Sequence, residues 1–176
     1  MKKKPREYYI IDGYNVINSW PELIKLRGDL SEARDRLIHT LVEYAAYEKY
    51  SMTVVFDALF TDGEEHVEEL NPHFKVVFTG QGETADSYIE RLAYELVHQG
   101  NEVHVVTSDG AEQSVVLGAG AYRHPSKEFY RILKRTKKEL RKGYLDKVKL
   151  PVSRNEIGNN LDEATMEKLD ALRKMK

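Results

Sequence analysis

Short apolar runs alternate with stretches of helical spacing along most of this chain, and that alternation restricts the fold more than any other feature. The runs are "YYIID" (Tyr8–Asp12), "TVVFD" (Thr53–Asp57), "FKVVF" (Phe74–Phe78) and "EVHVVTSD" (Glu102–Asp109). Between the first two, Ala33, Leu37, Leu41 and Ala45 mark the inner face of a helix predicted from about Leu30 to Glu48. Asp29 and Glu32 have capping-box spacing at its start. A second helix is predicted over Ala85–His98, stopped by Gly100, and a short one ends at about Leu117. "GAYRH" reads as a short fifth strand, and Pro125 and Ser126 open a long basic helix to about Lys142. Strands and helices in alternation imply βαβ crossovers. The expected fold class is α/β, a parallel sheet of four to five strands flanked by helices as a Rossmann-like three-layer sandwich. Ala58–His73 departs from the rhythm, being acidic, aperiodic and long for a connection. From Lys147 the chain reads as linker, with a last amphipathic helix over Leu161–Arg173. The expected organisation is one domain over 1–146 and a linker with a helical tail over 147–176.

The 176 residues suffice for a buried core. The absence of cysteine excludes disulfides and thiolate metal sites and suits a reducing compartment. The basic start "MKKKPREYYIID" has too short an apolar run for a signal peptide, and no stretch approaches a membrane span. A cytoplasmic protein with no membrane partner is expected. The net charge of −2 conceals segregation. Asp57–Glu112 holds 13 acids against Lys75 and Arg91, whereas Arg123–Lys149 holds 11 Lys or Arg against Glu128, Glu139 and Asp146. One region suits cations and the other polyanions.

Three strands end in the same way, on Asp12, Asp57 and Asp109. In a parallel sheet all carboxyl ends lie on one edge, where open α/β sheets bind ligands. Glu83 and Asp86 lead into the helix after the third strand at a spacing that shares one face. Up to five carboxylates would then meet at one rim, with Asn15 and Ser108 as neutral neighbours. Such a concentration of like charge calls for a hard cation, and oxygen-only ligands suit Mg²⁺ or Mn²⁺. Each acid also has a plainer reading, because carboxylates at strand ends and helix starts cap free amides. That reading weighs most on Asp57, Glu83 and Asp86; the set is more specific than any member. Tyr14, between Gly13 and Asn15, reads first as a core-packing residue.

A rival lies in "TGQGETA", where Gly80, Gly82 and Ala85 fit a dinucleotide-binding fingerprint between a strand and a helix. It follows the third strand rather than the first, and Glu83 and Asp86 would crowd the pyrophosphate. No small-molecule cofactor is therefore expected. The six histidines show no metal-ligand spacing and read as surface or structural. An acidic site repels a polyanion, so any contact with one must come from elsewhere. In "SKEFYRILKRTKKELRK", Phe129, Leu133, Thr136 and Leu140 can face inward. Lys127, Arg131, Lys134, Arg135, Lys138, Arg141 and Lys142 are then left outward for phosphates.

"IDGYNVI", "VVFDA", "GETADSYIERLA" and "VVTSD", in this order and spacing, resemble the NYN-domain nucleases, relatives of the PIN-like fold, and among them the small bacterial YacP-like branch. The resemblance covers about Tyr8 to Arg141. It implies a metal-dependent endoribonuclease, with family roles at Asp12, Asn15, Asp57, Asp86 and Asp109, and Glu83 as an addition. It further implies cleavage of messenger RNA on the translating ribosome, with the basic surface contacting ribosomal RNA as well as message. Two alternatives stand beside it: a catalytically inactive RNA- or ribosome-binding module, and a dinucleotide-binding enzyme.

Overall fold

The computed structural model describes residues 7–58, 64–110, 116 and 118–148. In chain order the elements are β1 (Glu7–Asp12), α1 (Gly13–Ile17), α2 (Pro21–Ile24), α3 (Leu30–Glu48), β2 (Ser51–Phe56), β3 (His66–Asn71), β4 (Phe74–Phe78), α4 (Ala85–His98), β5 (Glu102–Val106), β6 (Tyr122–His124) and α5 (Ser126–Val148). The chain divides into two units, Met1–Thr136 and Lys137–Lys176, so the division falls inside α5. The short helix expected to reach Leu117 falls largely outside the described residues, as do the linker and tail helix beyond Val148. No described helix is long and apolar enough to cross a membrane.

The strands form one six-stranded sheet in the order β3-β4-β2-β1-β5-β6. All pairings are parallel except β3 with β4. The expected α/β sandwich is therefore present, with one strand more than the sequence indicated. That strand, β3, lies inside the segment read as an aperiodic loop. All six of its residues are exposed, so it carries no alternation to betray it. Its charge suits a sheet edge, where charged side chains discourage further pairing. Glu69 faces Lys75 of β4 in register, and the two side chains pair at 2.6 Å.

β2, buried along its whole length, shows why the inner strands read as unbroken apolar runs: helices cover both faces of the sheet. On one face Ile11, Val54, Phe56 and Val76 pack with Val16, Trp20, Leu37, Leu41, Phe129 and Leu133, which come from α1, α3, α5 and the Trp20 turn. On the other, Ile10, Val55, Val77 and Val105 pack with Ile89, Ala93 and Leu96 of α4. Asp29 caps α3 by accepting the Glu32 N–H at 3.0 Å, as its capping-box spacing predicts. Thr84 caps α4 by accepting the Ser87 N–H, and the chain leaves that helix through Gly100 at φ +84°. In α5, Phe129, Leu133 and Thr136 are buried, but Leu140 is 39% exposed, against the expectation that it faces inward. Leu140 lies in the second unit, beyond the part of α5 that belongs to the sheet-bearing unit.

Candidate functional site

Strand order reverses at β1, which has β2 on one side and β5 on the other. The carboxyl ends of β1 and β5 thus border the switch point at which such sheets bind ligands. Asp12 is the last residue of β1 and is 9% exposed. Its Oδ1 accepts the Asn15 N–H at 3.2 Å, so the same carboxylate caps α1. Gly13 is dictated by space: a Cβ there would lie 2.3 Å from the Phe56 ring. Burial pushes the Asp12 carboxyl up to about 6, and the charges of Asp86 and Asp109 add to the shift. The Asn15 N–H and the Thr107 hydroxyl act the other way, by bonding to the ionised form.

Asp109 is fixed through the same neighbours. Its N–H donates to Thr107 Oγ1 at 3.1 Å, and Thr107 is fully buried. Asn15 Oδ1 accepts from the Ser108 N–H at 2.9 Å and from the Ser126 hydroxyl at 2.6 Å. The Ser126 N–H in turn donates to Ser108 Oγ at 3.0 Å, and the Ser126 carbonyl accepts Trp20 Nε1–H at 2.9 Å. The end of β1, the loop after β5 and the start of α5 are therefore tied into one hydrogen-bonded cluster. Thr107 and Ser126 did not emerge from the sequence as site residues. Thr107 was signalled only by its place two residues before Asp109, and Ser126 only as the residue that opens a helix after Pro125.

The remaining acids separate. Asp86, exposed in the first turn of α4, faces the rim closely enough to act on Asp12. Asp57 Oδ2 accepts the Ala85 N–H at 3.5 Å, at the start of α4. Glu83, just before α4, pairs with Arg91 of that helix at 3.0 Å. Asp57 thus caps α4 and Glu83 is ion-paired, while Asp12, Asp86 and Asp109, linked by their charges, are the rim aspartates. Among the described residues, no three His, Asp or Glu side chains stand as a ready-made metal cage. The donor set fits a hard cation in kind: a buried carboxylate on which two further carboxylate charges act, with oxygen as the only donor.

The glycine-rich rival loses its anion site. Asp57 and Thr84 take the first amides of α4, where a pyrophosphate would bind. Gly80 serves packing instead, since a Cβ there would lie 2.9 Å from the backbone nitrogen of Glu65. Two concavities, of about 610 Å³ beside α4 and about 480 Å³ near Tyr8 and His73, include none of the three rim aspartates. His104 Nδ1 and His124 Nε2 lie 2.9 Å apart, and burial lowers the pKa of both, as befits structural histidines.

On α5, Lys127, Arg131, Lys134, Arg135, Lys138, Arg141 and Lys142 are all exposed. Lys134 differs from the rest, because its Nζ pairs with Glu22 and sits 5.2 Å over the Tyr130 ring.

A family model described as "YacP-like NYN domain" matches residues 9–174. A relative from Bacillus subtilis (strain 168), "Uncharacterized protein YacP", is 42% identical over 123 residues, which are 69% of this chain and 72% of the relative. A crystal structure of a mutant form of YacP from Bacillus subtilis superposes with a TM-score of 0.71 at 31% identity, covering 94% of this chain and 99% of that one. A second YacP crystal structure from the same organism gives 0.68 at 32% identity, with 96% and 95% covered.

Proposed function

The chain belongs to the YacP-like NYN domain family, whose domain is nuclease-like, and on that premise we propose that it is a metal-dependent endoribonuclease. It would hydrolyse RNA phosphodiester bonds, with messenger RNA on the translating ribosome as substrate and the cytoplasm as its setting. The observation that carries this reading is that Asp12 ends β1 at the switch-point edge of the sheet, its carboxylate buried and under the charges of Asp86 and Asp109.

These three residues would hold Mg²⁺ or Mn²⁺, which when bound lowers the pKa of a water and neutralises charge on the phosphate. Asp12 contributes a carboxylate whose direction is fixed before any ligand arrives, one oxygen being anchored on the Asn15 N–H. Thr107 links the Asp12 carboxylate to the Asp109 backbone, which ties the two chain segments together. Asn15 Oδ1 is taken by two donors, which leaves the amide NH₂ of that side chain to donate to a phosphate oxygen. In-line attack by water on the phosphorus would leave a 5′-phosphate and a 3′-hydroxyl. The acidic rim repels the strand, and the exposed cations of α5 supply the compensating attraction.

The second reading, an RNA- or ribosome-binding module without catalysis, is favoured by the lack of a ready-made cage of three ligands among the described residues. One experiment separates the two. End-labelled RNA, naked or translated, is incubated with protein in Mg²⁺, in EDTA, and with Asp12→Asn. Cleavage in Mg²⁺ alone, lost in EDTA and in the variant, supports hydrolysis at the rim. Undiminished cleavage in EDTA or in Asp12→Asn overturns it.

A further inference from the structure

Beside the rim, on the face of the sheet covered by α3, aromatic rings form a row across three strands. Phe56 of β2, Phe78 of β4 and His66 of β3 are register neighbours. Phe56 and Phe78 stack at 5.5 Å between centroids and 22°, and Phe78 and His66 at 6.2 Å and 28°. Tyr14, two residues after Asp12, closes the inner end with its ring edge-on to Phe56 at 5.2 Å. The row runs from full burial at Phe56, through half-burial at Phe78, to an exposed ring at His66. Glu68 Oε1, 3.1 Å from His66 Nε2, steadies that last ring.

Arg34, from the first turns of α3, lies over this row. Its Cζ is 5.9 Å from the Phe78 centroid, and its Nη1 donates to the Tyr14 hydroxyl at 3.0 Å. Lys75, Arg91 and Lys134 are each bound to a glutamate. Arg34 is different: among the described residues it makes no ion pair, although it is half-buried at the edge of an acidic site. A guanidinium held by a phenol and an aromatic face keeps its charge and several of its donors for another anion.

We propose that Arg34, Phe78 and His66 form a binding site for one nucleotide of single-stranded RNA next to the scissile bond. Arg34 takes the phosphate, and the base continues the aromatic row by stacking on His66. This inference rests on the nuclease reading for its ligand, but not for its chemistry. It gives the strand a fixed point on the β2–β4–β3 side of Asp12, opposite the Ser108–Ser126 side from which α5 begins. Any base can stack, so the site selects single strands over duplex rather than one sequence over another.

The test is binding of a short fluorescein-labelled single-stranded RNA, followed by anisotropy in EDTA over a range of salt concentrations. The proteins compared are wild type, Arg34→Gln, Arg34→Lys and His66→Ala. Arg34→Gln should weaken binding about fivefold or more, and reduce the slope of log Kd against log salt by about 0.7, one phosphate on a single strand. Arg34→Lys should restore the slope. His66→Ala, a change at an exposed ring, should weaken single-strand binding about fivefold without changing the slope, and leave duplex affinity unaltered. Wild-type affinity in both Arg34→Gln and His66→Ala overturns the site, whether or not the protein cleaves RNA. Binding that depends on Arg34 and His66 in a protein that cuts no RNA with Mg²⁺ supports the site and overturns only the nuclease reading.

Discussion

Asp12 does two jobs with one carboxylate, and the two respond differently to substitution. As the cap of α1 it needs only an oxygen acceptor, which asparagine supplies equally well. As a metal ligand it needs the charge. In the metal-free chain, burial and the charges of Asp86 and Asp109 raise its pKa from 3.8 to about 6. Between about pH 4 and pH 6 the folded chain then holds a proton that the unfolded chain has released. Stability must fall as pH rises through that window, by roughly 3 kcal/mol in all. Asp12→Asn should therefore melt higher than wild type at pH 7 in EDTA, lose this pH dependence, and show no Mg²⁺-dependent cleavage. Melting curves from pH 4 to pH 7 and a cleavage assay check the three outcomes together. At Gly13 the constraint is steric, because a methyl group would collide with the Phe56 ring. Gly13→Ala should cost about 1–3 kcal/mol, read by urea unfolding, as overpacking does elsewhere. Rim geometry should suffer with it, since Gly13 follows Asp12 directly.

At the scale of elements, α5 links two surfaces that the sequence presents separately. Its first residue, Ser126, is fully buried and uses its N–H, hydroxyl and carbonyl on Ser108, Asn15 and Trp20. Ser126→Ala removes the 2.6 Å bond to Asn15 Oδ1 and should destabilise the fold by about 1–2 kcal/mol. With Asn15 less firmly held, kcat should fall more than KM rises, whereas a purely structural role would leave kcat of the folded fraction unchanged. Farther along α5, the pairing of Lys134 with Glu22 separates it from its neighbours. Replacing Arg131 or Arg135 with Gln should each lower the RNA-binding salt slope by about 0.7. Lys134→Gln should lower it less, because that charge is already shared with a glutamate. Titrations at several salt concentrations distinguish the two patterns.

Over the whole molecule, the described surface offers an acidic rim, a basic helix and a short aromatic row; on the proposed reading the helix and the row would hold a strand without reading its bases. Phosphate contacts position a strand but do not select a sequence. If the proposed nuclease acts on message, selection must come from whatever presents the strand, and a ribosome could supply it by holding the message in register. One reporter message in a reconstituted translation system should be cut efficiently while translation runs, and poorly when initiation is blocked. Equal cutting at the same site in both conditions would remove the ribosome from the proposal and leave hydrolysis intact.

Much of this protein was determined locally and was legible in the sequence alone. Apolar runs defined β1, β2, β4 and β5 because strands buried on both faces need no alternation. Asp29 set the start of α3 and Gly100 the end of α4, since a helix end must satisfy its own free groups nearby. Asp12 and Asp109 could be placed on one edge because parallel strands all end on the same side. Tertiary structure alone decided the rest. β3 owes its existence to pairing with β4, not to any burial pattern of its own. Asp57 meets the first amide of α4 across 28 positions of chain, and Glu83 is paired with Arg91. The hydroxyl of Ser126 meets Asn15 across 111 positions of chain, and Arg34 meets Tyr14 across 20. Such contacts follow from strand order and from competition among polar groups for partners in a closed space, which no local spacing encodes.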